Sequence, residues 1–260
     1  MAVALIDSHA HLTSQPLNAD IPAVLSRARA AGVDHVITIA VDMTDAERVV
    51  QLGRSEPCVS PAIGIHPHEA GKVTDADWTR YESFLNDPSI VAFGEMGLDY
   101  HYDFADRPTQ RRVFERQLER VAATGRPIII HARQAHEDTV AILASSGYNH
   151  KPVVFHCFSG NAAEAENIAE HGWRISFTGV VTFKNARPLQ AVAAAYPIDQ
   201  LMIETDSPYL SPVPVRHIKP NEPAHLAHVA RFLADLRGIS LDELAHHTSE
   251  NTRTFFALPG

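Results

Sequence analysis

Short, continuously apolar runs recur along the chain and most of them end in a polar, chemistry-bearing residue. Val3-Ala4-Leu5-Ile6 leads directly into Asp7-Ser8-His9-Ala10-His11. Val36 to Val41, Cys58 to Ile63, Ile90 to Phe93, Pro127 to Ile130, Pro152 to Phe155, Trp173 to Phe177 and Leu201 to Ile203 repeat the pattern. Such runs read as strands buried on both faces. Between them lie stretches of helical character: Ile21 to Ala31, stopped by Gly32; a segment opened by the capping box Thr44-Asp45-Ala46-Glu47; and Asp75 to Leu85. From Pro108 to Ala123, Phe114, Leu118, Val121 and Ala122 fall at helical spacing, and Gly125 ends the segment. Glu137 to Leu143, a helix capped by Asn161, Pro223 to Leu236 and a last helix opened by Ser240-Leu241-Asp242-Glu243 complete the series.

Eight strands alternating with helices, with no linker or low-complexity run, predict one α/β domain over residues 1–260, a (β/α)8 TIM barrel. A doubly wound open sheet is the alternative, but no glycine-rich phosphate fingerprint follows the first strand. A barrel gathers the C-terminal ends of its strands into one mouth. Those ends carry His9 and His11 on strand 1, Glu95 on strand 4, His131 on strand 5, His156 on strand 6 and Asp206 on strand 8.

Composition narrows the partners. With 45% hydrophobic and 20% charged residues the chain reads as globular, and its N-terminal apolar run is too short for a signal peptide, so a cytoplasmic protein without membrane association is expected. Two widely spaced cysteines, Cys58 and Cys157, agree with a reducing compartment. A net charge of -9 with only four lysines argues against a wide footprint on a nucleic-acid duplex, yet leaves room for a strand end or a small anionic substrate held by dications and a local arginine cluster. The sequence is silent on oligomeric state.

Six His, Glu and Asp donors are too many for one tetrahedral zinc and suit two divalent ions about 3.5 to 4 Å apart. Glu95 is the candidate bridge, His9 and His11 complete one ion with Asp206, and His131 and His156 hold the other. Zn, Mn and Mg all remain compatible with this mixed donor set. Two such ions bring a shared water toward ionisation at neutral pH, and Asp206 is placed to take its proton. Glu204, two residues before Asp206, is expected one layer deeper, orienting a ligand imidazole. His66, His68, His101, Arg133 and Lys184 are the candidate substrate contacts, able to meet charge developing on an anionic oxygen.

Seven stretches in order, Asp7-Ser8-His9-Ala10-His11-Leu12, Gly64-Ile65-His66-Pro67-His68, Gly94 to His101, Ile130-His131-Ala132-Arg133, Phe155 to Gly160, Glu204 to Leu210 and Asn221-Glu222-Pro223, resemble the TatD family of metal-dependent deoxyribonucleases within the amidohydrolase-like barrels. The resemblance implies a TIM barrel, a divalent-metal site and phosphodiester hydrolysis that removes nucleotides from a DNA strand end. Ala10 stands where many relatives have Cys, and His217-Ile218-Lys219-Pro220 carries less Arg than the family pattern, which bears on phosphate contacts in that loop.

An amidohydrolase-type esterase or lactonase, or a D-aminoacyl-tRNA deacylase as some family members are described, would use the same activated water against carbon. Many binuclear amidohydrolases bridge their metals with a carboxylated lysine on strand 4. This chain has Glu95 and no lysine there. A non-catalytic nucleic-acid or metal-binding barrel is the reading from another class, and the presence of all six donors argues against it.

Overall fold

The computed structural model describes residues 4–102 and 104–258. Strands β1 (Leu5–Ala10), β2 (Val33–Ile39), β3 (Val59–Ile63), β4 (Ala92–Asp99), β5 (Ile128–Arg133), β6 (Val153–Phe155), β7 (Arg174–Phe177) and β8 (Leu201–Ile203) form one sheet in the order of the chain, each pair parallel. A parallel bridge between Ala10 and Ser207 brings the two edges together. Helices α1 (Ile21–Ala30), α2 (Met43–Ser55), α3 (Asp75–Ser83), α4 (Arg107–Val121), α5 (His136–Ser145), α6 (Ala162–Glu170), α7 (Arg187–Ala195), α8 (Leu226–Arg237) and α9 (Leu241–Phe256) pack around it. This is the TIM barrel that the alternation of apolar runs predicts.

Period-two geometry explains why the strands are apolar on both sides. Ile128 and Ile130 of β5 join the large cluster under the helices, whereas Ile129 joins Ile37, Ile39, Val154 and Met202 in a second cluster. Phe255 and Phe256, at the end of α9, belong to that second cluster and close it. The polar donors therefore collect at the opposite, C-terminal end.

Some predicted details move. The α2 cap is Asp42, whose carboxylate accepts from Asp45 N at 2.7 Å, and Thr44 lies inside the helix. An extended Asp two residues earlier competes successfully with the Thr-Glu box. Asn161 does form a reciprocal box with Glu164, whereas Ser240 caps α9 through Glu243 N. The helix expected from Pro223 begins as a 3-10 turn, Pro223–His225, before α8. α7, between β7 and β8, is not among the predicted helices, although Leu189, Val192 and Ala193 form its buried stripe.

The largest change is in β4, which runs on past Phe93 through Glu95 to Asp99. Gly94 and Gly97 have φ of +143° and +140°, and a Cβ on either would collide with the carbonyl oxygen of Ile129 or His131. The pairing of β4 with β5 is irregular between Phe93 and Met96. Glycine thus lets β4 twist against β5 while Glu95 sits inside a strand, buried.

Candidate metal centre

The β1/β8 junction sets the first group of donors. Asp206 N donates to His9 O at 3.0 Å and His11 N to Ser207 O at 2.8 Å, which fixes the two segments side by side. Asp7 supports them from below: its carboxylate accepts from Thr205 N at 2.9 Å and Thr205 Oγ1 at 2.6 Å, and burial pushes its pKa up to about 8. Asp206 itself has a φ of +52°, a conformation that Asp tolerates better than most residues.

Above this junction the side chains converge. His9 Nε2 lies 3.3 Å from His11 Nε2, 3.2 Å from Glu95 Oε2 and 3.9 Å from Asp206 Oδ1, and His11 Nε2 is 3.4 Å from the same Asp206 oxygen. Glu95 Oε2 also stands 2.6 Å from His156 Nε2, and the His9 and His156 rings stack at 3.9 Å. His131 Nδ1 closes the set, 3.4 Å from His156 Nε2. All six predicted donors are therefore brought to one place.

These residues fit divalent cations. Buried Glu95 Oε2 has two imidazoles against it and no hydrogen bond among the described residues. Donors that each sit about 2.1 Å from one ion are separated by about 3.0 to 3.4 Å, close to most of the spacings found here. Tautomers agree. His11 Nδ1 meets Ile39 O at 3.1 Å, so its proton is on Nδ1 and its Nε2 lone pair faces the cluster. His131 Nε2 meets Asp99 Oδ2 at 3.0 Å, which leaves Nδ1 free to face inward.

Electrostatics support the same picture. Burial alone would raise Glu95, but His156, His66 and His9 hold it well below the usual carboxylate range. Burial would likewise pull His11 down, and Asp206 with Glu95 instead pushes it up to about 9. His156 is driven up against burial by Glu95 and Glu204. Cations bound at this cluster would have to displace these protons, and their affinity would then rise with pH.

The remaining predicted residues divide. Glu204 accepts from Cys157 N at 2.6 Å and Ser176 Oγ at 2.6 Å and stands 3.4 Å from His156 Nδ1, outside hydrogen-bond geometry. His66 Nδ1 accepts from His68 N at 3.0 Å, and burial keeps the ring neutral, so its proton is on Nε2, which faces His131 Nδ1 at 3.3 Å and Glu95 Oε1 at 3.0 Å. His66 is thereby a donor. His66, His68 and His131 also bring ring nitrogens within 4.8 Å, but their hydrogen bonds to His68 N and Asp99 commit several of them. Arg133 lines the mouth, whereas His101 and Lys184 are exposed outside it, His101 Nδ1 against Gln134 Nε2 at 3.3 Å.

The mouth is an open cavity of about 660 Å³. Its lining includes Tyr102, Tyr209 and Cys157, to which sequence reasoning gave no site role, although Tyr209 and Cys157 fall inside motif stretches and Tyr102 directly follows one. Asp99 braces the loop after β4 through His101 N and Tyr102 N, and it also grips His68 and His131.

The sequence profile of the family described as TatD related DNase matches residues 6–257. The chain belongs to this family. An uncharacterized metal-dependent hydrolase, YabD, of Bacillus subtilis (strain 168) is 36% identical over 254 residues, 98% of this chain and 99% of its own. The 3'-5' ssDNA/RNA exonuclease TatD of Edwardsiella piscicida is 33% identical over 98% of this chain and 100% of its own. Among solved structures, the TatD homologue YJJV from Escherichia coli K12 superposes with a TM-score of 0.93 at 30% identity, covering 100% of both chains. No helix among the described residues of this TatD family member is long and apolar enough to cross a membrane.

Proposed function

We propose that this metal-dependent hydrolase of the TatD family cuts phosphodiester bonds at the end of a single DNA or RNA strand, acting as one catalytic domain in the cytoplasm. In this reading a pair of divalent ions, Mg, Mn or Zn, is held by His9, His11 and Asp206 on one side and His131 and His156 on the other, with Glu95 shared. The supporting observation is the convergence of Glu95 Oε2, without a hydrogen bond, on the Nε2 atoms of His9 and His156. The nuclease assignment draws on the family and on relatives named as exonucleases.

When bound, such a pair lowers the pKa of a water toward neutrality and offsets charge on the phosphoryl oxygens. The chain supplies the rest. Asp206, only partly buried and facing the cavity, takes a proton from the attacking water. His66 Nε2–H, set by the bond that Nδ1 accepts from His68 N, faces Glu95 Oε1 and His131 Nδ1 and holds those two side chains in place. Arg133, at the rim, takes a non-bridging oxygen and keeps the strand in register.

End-labelled single-stranded DNA incubated with metal-stripped protein, re-supplied with Mg, Mn or Zn, tests this directly. Shortening that needs metal and disappears in Glu95→Ala and Asp206→Ala is the expected result. Protein that binds ions and hydrolyses small carboxylic esters without shortening any strand would move the activity to carbon.

A further inference from the structure

Five large apolar side chains are exposed among the described residues: Tyr102, Phe104, Tyr209, Val213 and Ile218. All five stand on the two loops that follow β4 and β8, and Tyr102 and Tyr209 line the mouth itself. Exposed apolar residues are ordinarily scattered singly over a protein surface. Here the aromatic ones are ordered. Tyr102 and Phe104 stack with centroids 5.5 Å apart and 26° between their planes, although Phe104 remains 67% exposed. His68 packs edge-on against both, at 5.4 and 4.8 Å, and is itself fixed by Asp99 at 2.9 Å. Arg133 Cζ lies 4.9 Å from the Tyr102 ring. Tyr209, 57% exposed, stands on the other side, 6.2 Å from the His11 ring.

We propose that the Tyr102 and Phe104 stack is a platform for a nucleobase of the single-stranded substrate, and that Tyr209 receives a second base across the scissile phosphate. This rests on the nuclease reading above and adds the part of the substrate that is recognised. A chain with net charge -9 is poorly suited to holding a strand by a long row of phosphate contacts, which favours a source of affinity other than charge. Base faces are apolar, flat and common to every sequence, and a duplex hides them. A rim of exposed rings beside one arginine therefore selects single strands without reading sequence.

The experiment uses metal-loaded protein and a short phosphorothioate-linked single strand, resistant to hydrolysis, with 2-aminopurine at its end. Stacking quenches the fluorescence of that base, so binding is read without turnover. Phe104→Ala should weaken binding about ten-fold and abolish the quench, with Phe104→Trp retaining both. Phe104 is a surface residue, and unchanged circular dichroism confirms folding. Equal affinity and quench in the native protein and Phe104→Ala overturn the platform, as does equal affinity for a duplex. A dimer that dissociates in Phe104→Ala, while strand binding is unaffected, also overturns it and assigns the rim to a second copy. Strand shortening with Phe104-independent binding sinks the platform alone, whereas no shortening with any metal sinks the nuclease reading.

Discussion

His11, His66 and His131 each have one ring nitrogen committed to a fixed partner, and that commitment decides what the other nitrogen can do. Ile39 O and Asp99 Oδ2 hold protons on the outer nitrogens of His11 and His131, leaving lone pairs inward, while His68 N leaves His66 with a proton inward. Asp99 is kept ionised against burial by its hydrogen bonds with His131 and His68. Asp99→Asn preserves volume but offers an amide where the carboxylate accepted two imidazole protons. It should weaken ion binding about 10- to 100-fold by calorimetric titration, without loss of fold. His66→Ala should cost about 10- to 100-fold in activity, as removal of a hydrogen-bond partner that orients other site residues does, and His66→Gln, which keeps an N–H, should recover part of it. Equal losses in the two variants would mean that the donor has no role.

At the scale of elements, β4 shows how far strand logic reaches. The sequence places Glu95 just beyond an apolar run, and the structure places it inside a longer strand, because Gly94 and Gly97 let β4 approach the Ile129 and His131 carbonyls. Gly97→Ala forces β4 from β5 at the residue pair Gly97 and His131, and should cost about 2 to 4 kcal/mol in chemical denaturation while loosening ion binding. Strand ends were legible because the apolar runs break at chemistry-bearing residues at the mouth, as Ile128 to His131 illustrates, although polar residues such as His35 and Ser60 also stand inside strands. The α2 cap was less so, since Asp42 and Thr44 are both good cap residues and only backbone geometry separates them. Tyr102 and Tyr209 escaped notice because an aromatic in a loop reads the same in sequence whether it is buried or exposed.

For the whole molecule, burial of neutral imidazoles couples stability to pH and to metal. His35, near the start of β2 and remote from the mouth, bonds Ser60 Oγ at 2.8 Å, and burial with help from Arg253 brings its pKa down to about 4. Between about pH 6.5 and 4 the unfolded chain binds a proton at this position and the native one does not, so native stability falls as pH drops through that window. With His35 partly exposed, its share is about 2 kcal/mol. His131, also brought to about 4 by burial and by His66, acts in the same direction in metal-free protein. Asp7, pushed up to about 8, acts in the opposite direction over the same window, so the check is a difference: by urea unfolding the native protein should lose more stability, or gain less, between pH 7 and pH 4.5 than His35→Gln does. Ions at the mouth add a separate contribution, about 2.7 kcal/mol at a free concentration 100 times Kd, and it too fades as protons compete for the same nitrogens. Chelation at pH 7 should lower Tm in the native protein and in His35→Gln alike, but leave Glu95→Ala almost unmoved. A chelation shift of native size in Glu95→Ala would place the stabilising ions away from Glu95.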